Sequence, residues 1–202
     1  MFVALVPSAD ALEDLAEFLG PRQEAGRDLR WTEPAQWHLT LAFLADVAER
    51  HLDDLTERLG RAAARRTPFE ARLVGGGAFP DAARARVLFA AVAAPGPELD
   101  RLATGVRAAA TKAGANPAGG RFRPHVTLAR VRRPVEATRW LRVLDTYRGP
   151  AWSAAEVALV ESHLGEGPRG RPRHEIRATF ALGRPAPGTE ERDSAHPREA
   201  QT

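Results

Sequence analysis

The 202-residue chain contains no cysteine, which removes disulfides, thiol nucleophiles and thiolate metal ligands from its chemistry. Lysine is nearly absent too: Lys112 stands alone among 29 basic residues, the other 28 being arginine. The formal net charge is only +3, yet the sequence pI is about 10.4 because nearly every basic residue is arginine. Arginine offers a planar fork matched to phosphate oxygens, although a base composition favouring Arg and Ala together gives the same excess. No apolar run approaches the roughly 18 residues of a transmembrane helix. The opening Met1-Phe2-Val3-Ala4-Leu5-Val6-Pro7 lacks a basic n-region and is too short a run for a signal peptide, so it reads as a buried strand and a cytoplasmic location is expected. No Gly-x-Ser-x-Gly elbow occurs, which argues against Ser-His-Asp hydrolysis. Gly75-Gly76-Gly77 is not followed by Gly-Lys-Ser/Thr, so it reads as a turn and not as a phosphate loop. No His-x-x-x-His pair occurs, and His51, His163 and His174 have no partner at convincing ligand spacing, so neither a metal nor another cofactor is expected.

Against these absences, one pattern occurs twice. Residues 38–44 read His-Leu-Thr-Leu-Ala-Phe-Leu and residues 125–131 read His-Val-Thr-Leu-Ala-Arg-Val. With six His, twelve Thr and twenty-one Leu in the chain, random placement gives His-x-Thr-Leu roughly 0.04 times. Each copy alternates as a half-buried strand does, so His and Thr share one face and Leu39/Leu41 or Val126/Leu128 take the other. Two such strands facing each other would set His38, Thr40, His125 and Thr127 around one cleft.

The rest of the chain has ordinary globular composition, 44% hydrophobic and 27% charged, enough for one domain or two small lobes. Its periodicities predict a strand over 2–6, a helix over 10–19 capped by Asp10 and ended by Gly20-Pro21, the first motif strand over 37–44, and a helix over about 48–65. A strand over 69–74 follows. The order then restarts: a strand over 87–92, a helix from Pro97 to about 113, the second motif strand over 122–131, a helix from Pro134 to about 147, and strands over 152–161 and 174–182. Three landmarks repeat at similar offsets: Pro7 and Pro95 (88), His38 and His125 (87), Phe69 and Trp152 (83). The spacing predicts a duplicated β-α-β-α-β unit. The fold expected is α+β and bilobal, with pseudo-twofold symmetry, a central cleft, and pseudo-repeats of about 1–80 and 85–184 that are separate or interlaced. Residues 185–202 have almost no apolar periodicity and read as a disordered polar tail.

Two imidazoles suit in-line displacement at phosphorus. One takes a proton from the attacking water while the other gives one to the leaving oxygen on the opposite side. The Thr hydroxyls can hydrogen-bond the non-bridging oxygens. A cyclic phosphodiester fits this logic, and no covalent intermediate or metal is required. A module that binds a nucleotide or RNA end without turnover remains an alternative, as does an esterase for another cyclic or 2′-5′-linked nucleotide.

The paired motifs resemble the signature of the two-histidine (2H) phosphoesterase superfamily. The flanks are similar to its RNA 2′,3′-cyclic phosphodiesterase branch, historically called 2′-5′ RNA ligase, through Phe2-Val3-Ala4-Leu5, Leu29-Arg30-Trp31, residues 37–44, Gly77-Ala78-Phe79-Pro80, Phe122-Arg123-Pro124-His125, Ala129-Arg130-Val131 and residues 157–164. The resemblance covers about residues 1–184. It implies a LigT-like fold, hydrolysis of 2′,3′-cyclic phosphate RNA ends (tRNA fragments among the candidates) to 2′-phosphomonoesters, and a reversible, ATP-independent 2′-5′ joining of RNA ends. It assigns His38 as proton donor and His125 as proton acceptor, an order that the near-symmetric halves leave open. It also suggests that Arg130 contacts phosphate and that Phe43 lies near the base. Strict alternation points both away from His and Thr, so this needs a strand end, a twist or a bulge. Where relatives often carry Tyr before the last strand, this chain has His174, readable as a loop-edge residue or as a third titrating group. The Arg-rich loop 169–173 could steer an RNA backbone. A two-lobed site within one chain suits a monomer.

Overall fold

The computed structural model describes residues 1–45, 47–167 and 170–183; the tail expected at 185–202 lies outside the described residues. The strands are β1 (Phe2–Leu5), β2 (Arg30–Trp31), β3 (Leu39–Phe43), β4 (Phe69–Phe79), β5 (Ala85–Ala93), β6 (His125–Val135), β7 (Arg148–Ala154), β8 (Glu156–His163) and β9 (Arg173–Ala181). The helices are α1 (Ala9–Ala25), α2 (Leu52–Ala64), α3 (Glu98–Lys112) and α4 (Thr138–Leu144). The strands pair antiparallel in the order β7-β4-β5-β6-β3-β1-β8-β9, and β2 continues beside β6 where β3 leaves it. The seam between lobes is therefore β3 against β6, the two motif strands, joined at Leu39 and Val126.

The fold is α+β and bilobal, and its halves exchange parts. β4 follows α2 in the chain but lies between β5 and β7, while β8 reaches back to pair with β1. Helix α1 packs on β7 and α4 on β4, whereas α2 packs on β9 and α3 on β3. Leu39, Leu41, Val126 and Leu128 are buried in one continuous core with Leu15, Leu19, Leu55, Leu59, Leu102 and Val106 from the helices. The apolar stripes of the helices thus cover the sheet face opposite the His and Thr side chains.

Several local expectations change. Helix α1 is capped by Ser8, whose hydroxyl accepts from the Ala11 N–H, and it runs through Pro21 to Ala25. Packing of Leu15 and Leu19 outweighs the lost helical bond. The triple glycine does not turn the chain: β4 runs through it to Phe79. A Cβ on Gly76 would meet Leu144 and one on Gly77 would meet Phe89, so these glycines let side chains approach the strand closely. Pro134 lies inside β6, where among the described strands only β5 flanks it, and α4 starts at Thr138. The strand expected over 152–161 is two, β7 and β8, parted at Ala155. Phe69 and Trp152 are not spatial counterparts, since their strands pair with each other through Phe69 and Ala154. The strand that sits beside β1 as β4 sits beside β5 is β8.

Candidate active site

His38 and Thr40 from the β3 segment and His125 and Thr127 from β6 line one cleft of about 690 Å³. The same walls carry Phe43, Arg130, Arg30, Trp31, Thr32, Phe2 and His174. All four residues of the paired motif, together with Phe43, Arg130 and His174, are thus brought together.

A β-bulge in each motif strand explains how Phe43 and Arg130 reach the cleft. In β3, Thr40 pairs with Ala4 and Ala42 with Val3, leaving Leu41 as the extra residue. In β6, Thr127 pairs with Phe89 and Ala129 with Leu88, leaving Leu128 extra. Leu41 and Ala42 are both buried, as are Leu128 and Ala129, and the next residue in each strand emerges exposed. The bulge resets the alternation that would have hidden Phe43 and Arg130. Each extra residue's carbonyl finds a donor outside its own ladder. The Arg107 guanidinium of α3 donates to the Leu41 carbonyl at 3.2 Å, and the Thr32 N–H donates to that of Leu128 at 2.8 Å.

The two imidazoles are held alike. His38 Nδ1 lies 2.7 Å from the Gln36 carbonyl and His125 Nδ1 lies 2.6 Å from the Arg123 carbonyl. A carbonyl only accepts, so each Nδ1 carries the hydrogen and Nε2 is left to exchange a proton. Aromatic rings back both. His38 stacks on Phe2, with centroids 4.5 Å apart and an interplanar angle of 18°. His125 meets Phe79 edge-on at 4.9 Å and Phe89 at 5.2 Å, and those two rings stack on each other at 4.5 Å. Phe2 and Phe89 are 87 residues apart, the offset of the two histidines. The duplication thus extends to the rings behind the imidazoles, a repeat that the spacing of the histidines could have located.

The charge environment is less even. His38 is pushed down to about 4, chiefly by burial; the Gln36 carbonyl pulls the other way, and the charges of His174, His125 and Arg130 add to the lowering. His125 is lowered as well, chiefly by burial, with Arg130 the neighbouring cation. His174, in β9 and half-buried, sits edge-on to His38 at 5.4 Å and to Phe2 at 5.1 Å, and burial lowers it too. It is a cleft residue, not a loop-edge one. Arg171, also in the wall, pairs with Glu33, and Gln36 Nε2 donates to the Pro172 carbonyl at 2.7 Å, tying the β8–β9 loop across the cleft mouth. Arg169 lies outside the described residues.

Among the described residues no carboxylate lines the cleft, and no group of three or more His, Asp or Glu is placed to hold a metal ion. Nor is any described helix long and apolar enough to cross a membrane. Two imidazoles, two hydroxyls and a guanidinium suit an anion whose reaction needs one proton taken from the attacking group and one given to the leaving group, as displacement at a phosphodiester does.

Comparison with known proteins agrees with that chemistry. Residues 7–166 match the 2′-5′ RNA ligase superfamily. The chain belongs to it. Superfamily relatives include the RNA 2′,3′-cyclic phosphodiesterase of Thermus thermophilus, 37% identical over 155 residues, 74% of this chain and 73% of that one. The protein of that name from Aquifex aeolicus is 35% identical over 139 residues, 67% of this chain and 73% of its own. Among solved structures, TT0787 of Thermus thermophilus superposes with a TM-score of 0.74 at 32% identity, covering 91% of this chain and 97% of its own. The apo form of Escherichia coli LigT gives 0.73 at 25% identity, covering 91% and 96%. The superfamily match ends before β9, so His174 lies beyond it.

Proposed function

We propose that this protein is an RNA 2′,3′-cyclic phosphodiesterase that opens cyclic phosphate ends to 2′-phosphomonoesters by acid–base catalysis between its two histidines. The observation that carries this reading is the pair of Nδ1-anchored imidazoles beside Thr40 and Thr127 in one cleft. Relatives named for this activity support the substrate.

In this mechanism water attacks phosphorus as His125 Nε2 takes its proton, and the P–O3′ bond breaks as His38 Nε2 gives a proton to O3′. The 2′-phosphate stays on the RNA, and solvent returns each histidine to its starting state. Thr40, Thr127 and Arg130 stabilise the charge that grows on the non-bridging oxygens, in a site where bulk water is partly excluded. Phe43 offers its exposed ring to the terminal base. A 5′-hydroxyl in place of water forms a 2′-5′ linkage by the same two proton transfers, without ATP. Burial holds His38 at about 4, so it is neutral at pH 7 before substrate binds; the phosphodiester anion offsets that burial and lets it hold the proton it must donate.

The test is hydrolysis of an RNA oligomer ending in a 2′,3′-cyclic phosphate, in EDTA, across pH 4–9. A bell-shaped profile is expected, with the optimum of kcat/KM about one pH unit below that of kcat, because the bound anion raises both histidines. Each of His38→Ala and His125→Ala should cost about 10²–10⁴ in kcat. Activity only after adding a divalent ion would overturn the mechanism. Nucleotide binding without turnover would instead favour a binding module, and preferred turnover of another cyclic or 2′-5′-linked nucleotide would reassign the substrate.

A further inference from the structure

The arginines outside the cleft are not all alike. In β9, Arg173 and Arg177 are tied into a network with Glu161, Glu166 and Glu175. The back of the molecule differs. Helices α2 and α3 pack against each other there. They run antiparallel: Arg66, just past the end of α2, lies over Gly105 of α3, while His51, just before α2, lies over Gly114, just past α3. Between them is a groove of about 180 Å³, with Gly105, Ala108 and Ala109 as its floor and Arg58, Arg61, Arg65, Arg66 and Lys112 around it. Among the described residues no carboxylate lines it.

Two of the five cations are already neutralised: Arg58 pairs with Asp54 and Arg61 with Glu57, each one helical turn back. Among the described residues the other three are in no ion pair. Arg65 uses only Nε, on the Arg61 carbonyl at 3.1 Å. Arg66 Nε is buried with no hydrogen-bond partner among the described residues, and Lys112 is exposed. Like charges gathered in one groove repel until an anion joins them, and guanidiniums offer forks to phosphate oxygens. No large apolar side chain lines the groove, so it offers nothing to a membrane core or to the apolar centre of a protein interface. A chain of phosphates fits it best. The helices cover the sheet face opposite the histidines, and a helix layer alone is about 10 Å thick. An RNA whose end lies in the cleft therefore reaches the groove only by turning the edge of the sheet. A long chain can do this and a dinucleotide cannot.

We propose that the groove between α2 and α3 is a second phosphate-binding site, which holds the backbone of single-stranded RNA well away from the end that reacts. The link to that end rests on the phosphodiesterase reading, and the test lets the two fail separately. Affinities are measured for an RNA of about 20 nucleotides and for a dinucleotide, each ending in a 2′-phosphate, in about 0.1 M salt, where charges more than about 10 Å apart are screened. The variant Arg65→Gln/Lys112→Gln alters only exposed side chains. In it the long RNA should bind about tenfold more weakly, and the slope of log affinity against log salt should become shallower by about 1.4, roughly 0.7 for each lost phosphate contact. The dinucleotide should bind as before. Arg27→Gln/Arg84→Gln, which removes two exposed charges elsewhere, should change the long RNA less than about twofold. Equal weakening in the two variants would mean diffuse attraction to a basic protein, and it overturns the site, as does an unchanged long RNA in Arg65→Gln/Lys112→Gln. Loss of inorganic triphosphate binding in that variant with RNA binding kept overturns the RNA assignment in favour of free polyphosphate. A dinucleotide that fails to bind the wild-type protein tells against the phosphodiesterase reading alone, because the long RNA still reports on the groove.

Discussion

The two imidazoles stand on different footings. Phe2, under His38, pairs across the ladder with Val160 and sits in a small buried cluster with Ala4 and Ala158. Phe89, beside His125, pairs with Gly77, and its ring occupies the space a side chain there would need: a Cβ on Gly77 would collide with Phe89 Cζ. The first platform is wedged among small and branched side chains, and the second stacks on Phe79 with the far end of its ring in the space that a side chain at residue 77 would need. The bulges differ in the same spirit, one carbonyl held by an arginine side chain from a helix and the other by the backbone N–H of Thr32, just past β2. A duplicated site can keep the geometry of its reacting atoms while each copy solves its support separately.

The largest blow to that contrast should come from Gly77→Ala. The new methyl group displaces Phe89 and with it His125, costing about 1–3 kcal/mol by overpacking. Thermal unfolding should show the loss, and the cost should shrink in a Phe89→Ala background, because the two sites touch. A full cost in both backgrounds would mean that Gly77 matters for its backbone and not for the ring.

A smaller effect is expected from Arg107→Met, which leaves the Leu41 carbonyl without its donor. About 1–2 kcal/mol should be lost, and kcat should fall as Thr40 and Phe43 loosen. No side-chain truncation can do the same to the second bulge, whose donor is the Thr32 backbone. An unchanged melting temperature and kcat in Arg107→Met would make the two bulges equivalent.

The mildest test uses pH. His38 is lowered in the folded chain to about 4 from an ordinary value of 6.5, so between those values the unfolded chain binds more protons. Its contribution to stability is intact above pH 6.5 and is lost as pH falls toward 4. His125 and His174 act in the same sense. Melting temperature followed from pH 7 to 4.5 should fall, and His38→Gln should flatten the fall more than His125→Gln. Equal flattening would show that the two histidines are buried alike.

The paired motif was legible because chance so rarely repeats a histidine, a threonine and two apolar positions in register. The sharing of one cleft by His38, Thr40, His125 and Thr127 follows from it, and the α+β class follows from the periodicities of the strands and helices around it. The bulges were not legible, since an extra residue is defined only against a partner strand, although the need for one was implied by placing Phe43 and Arg130 near substrate. Gly75-Gly76-Gly77 misled because the freedom that suits glycine to turns also suits it to close approach, and only the position of Phe89 and Leu144 decides between them. Pro21 and Pro134 misled for a related reason: proline's local preference yields where packing or an unpaired edge leaves its missing N–H unneeded. That Arg30 faces Arg130 was not legible either, because the two lie 100 residues apart in the chain.

The exchange of β4 and β8 between halves has a consequence for the molecule's life as a polymer. Cut at the β4–β5 loop, the chain would yield one fragment whose β4 lacks both neighbours and another whose β8 lacks β1. Neither piece would be a lobe, and each would expose ladder edges that invite association. The cleft therefore exists only once both halves have been made and have traded strands, so folding and assembly of the reacting groups are one event.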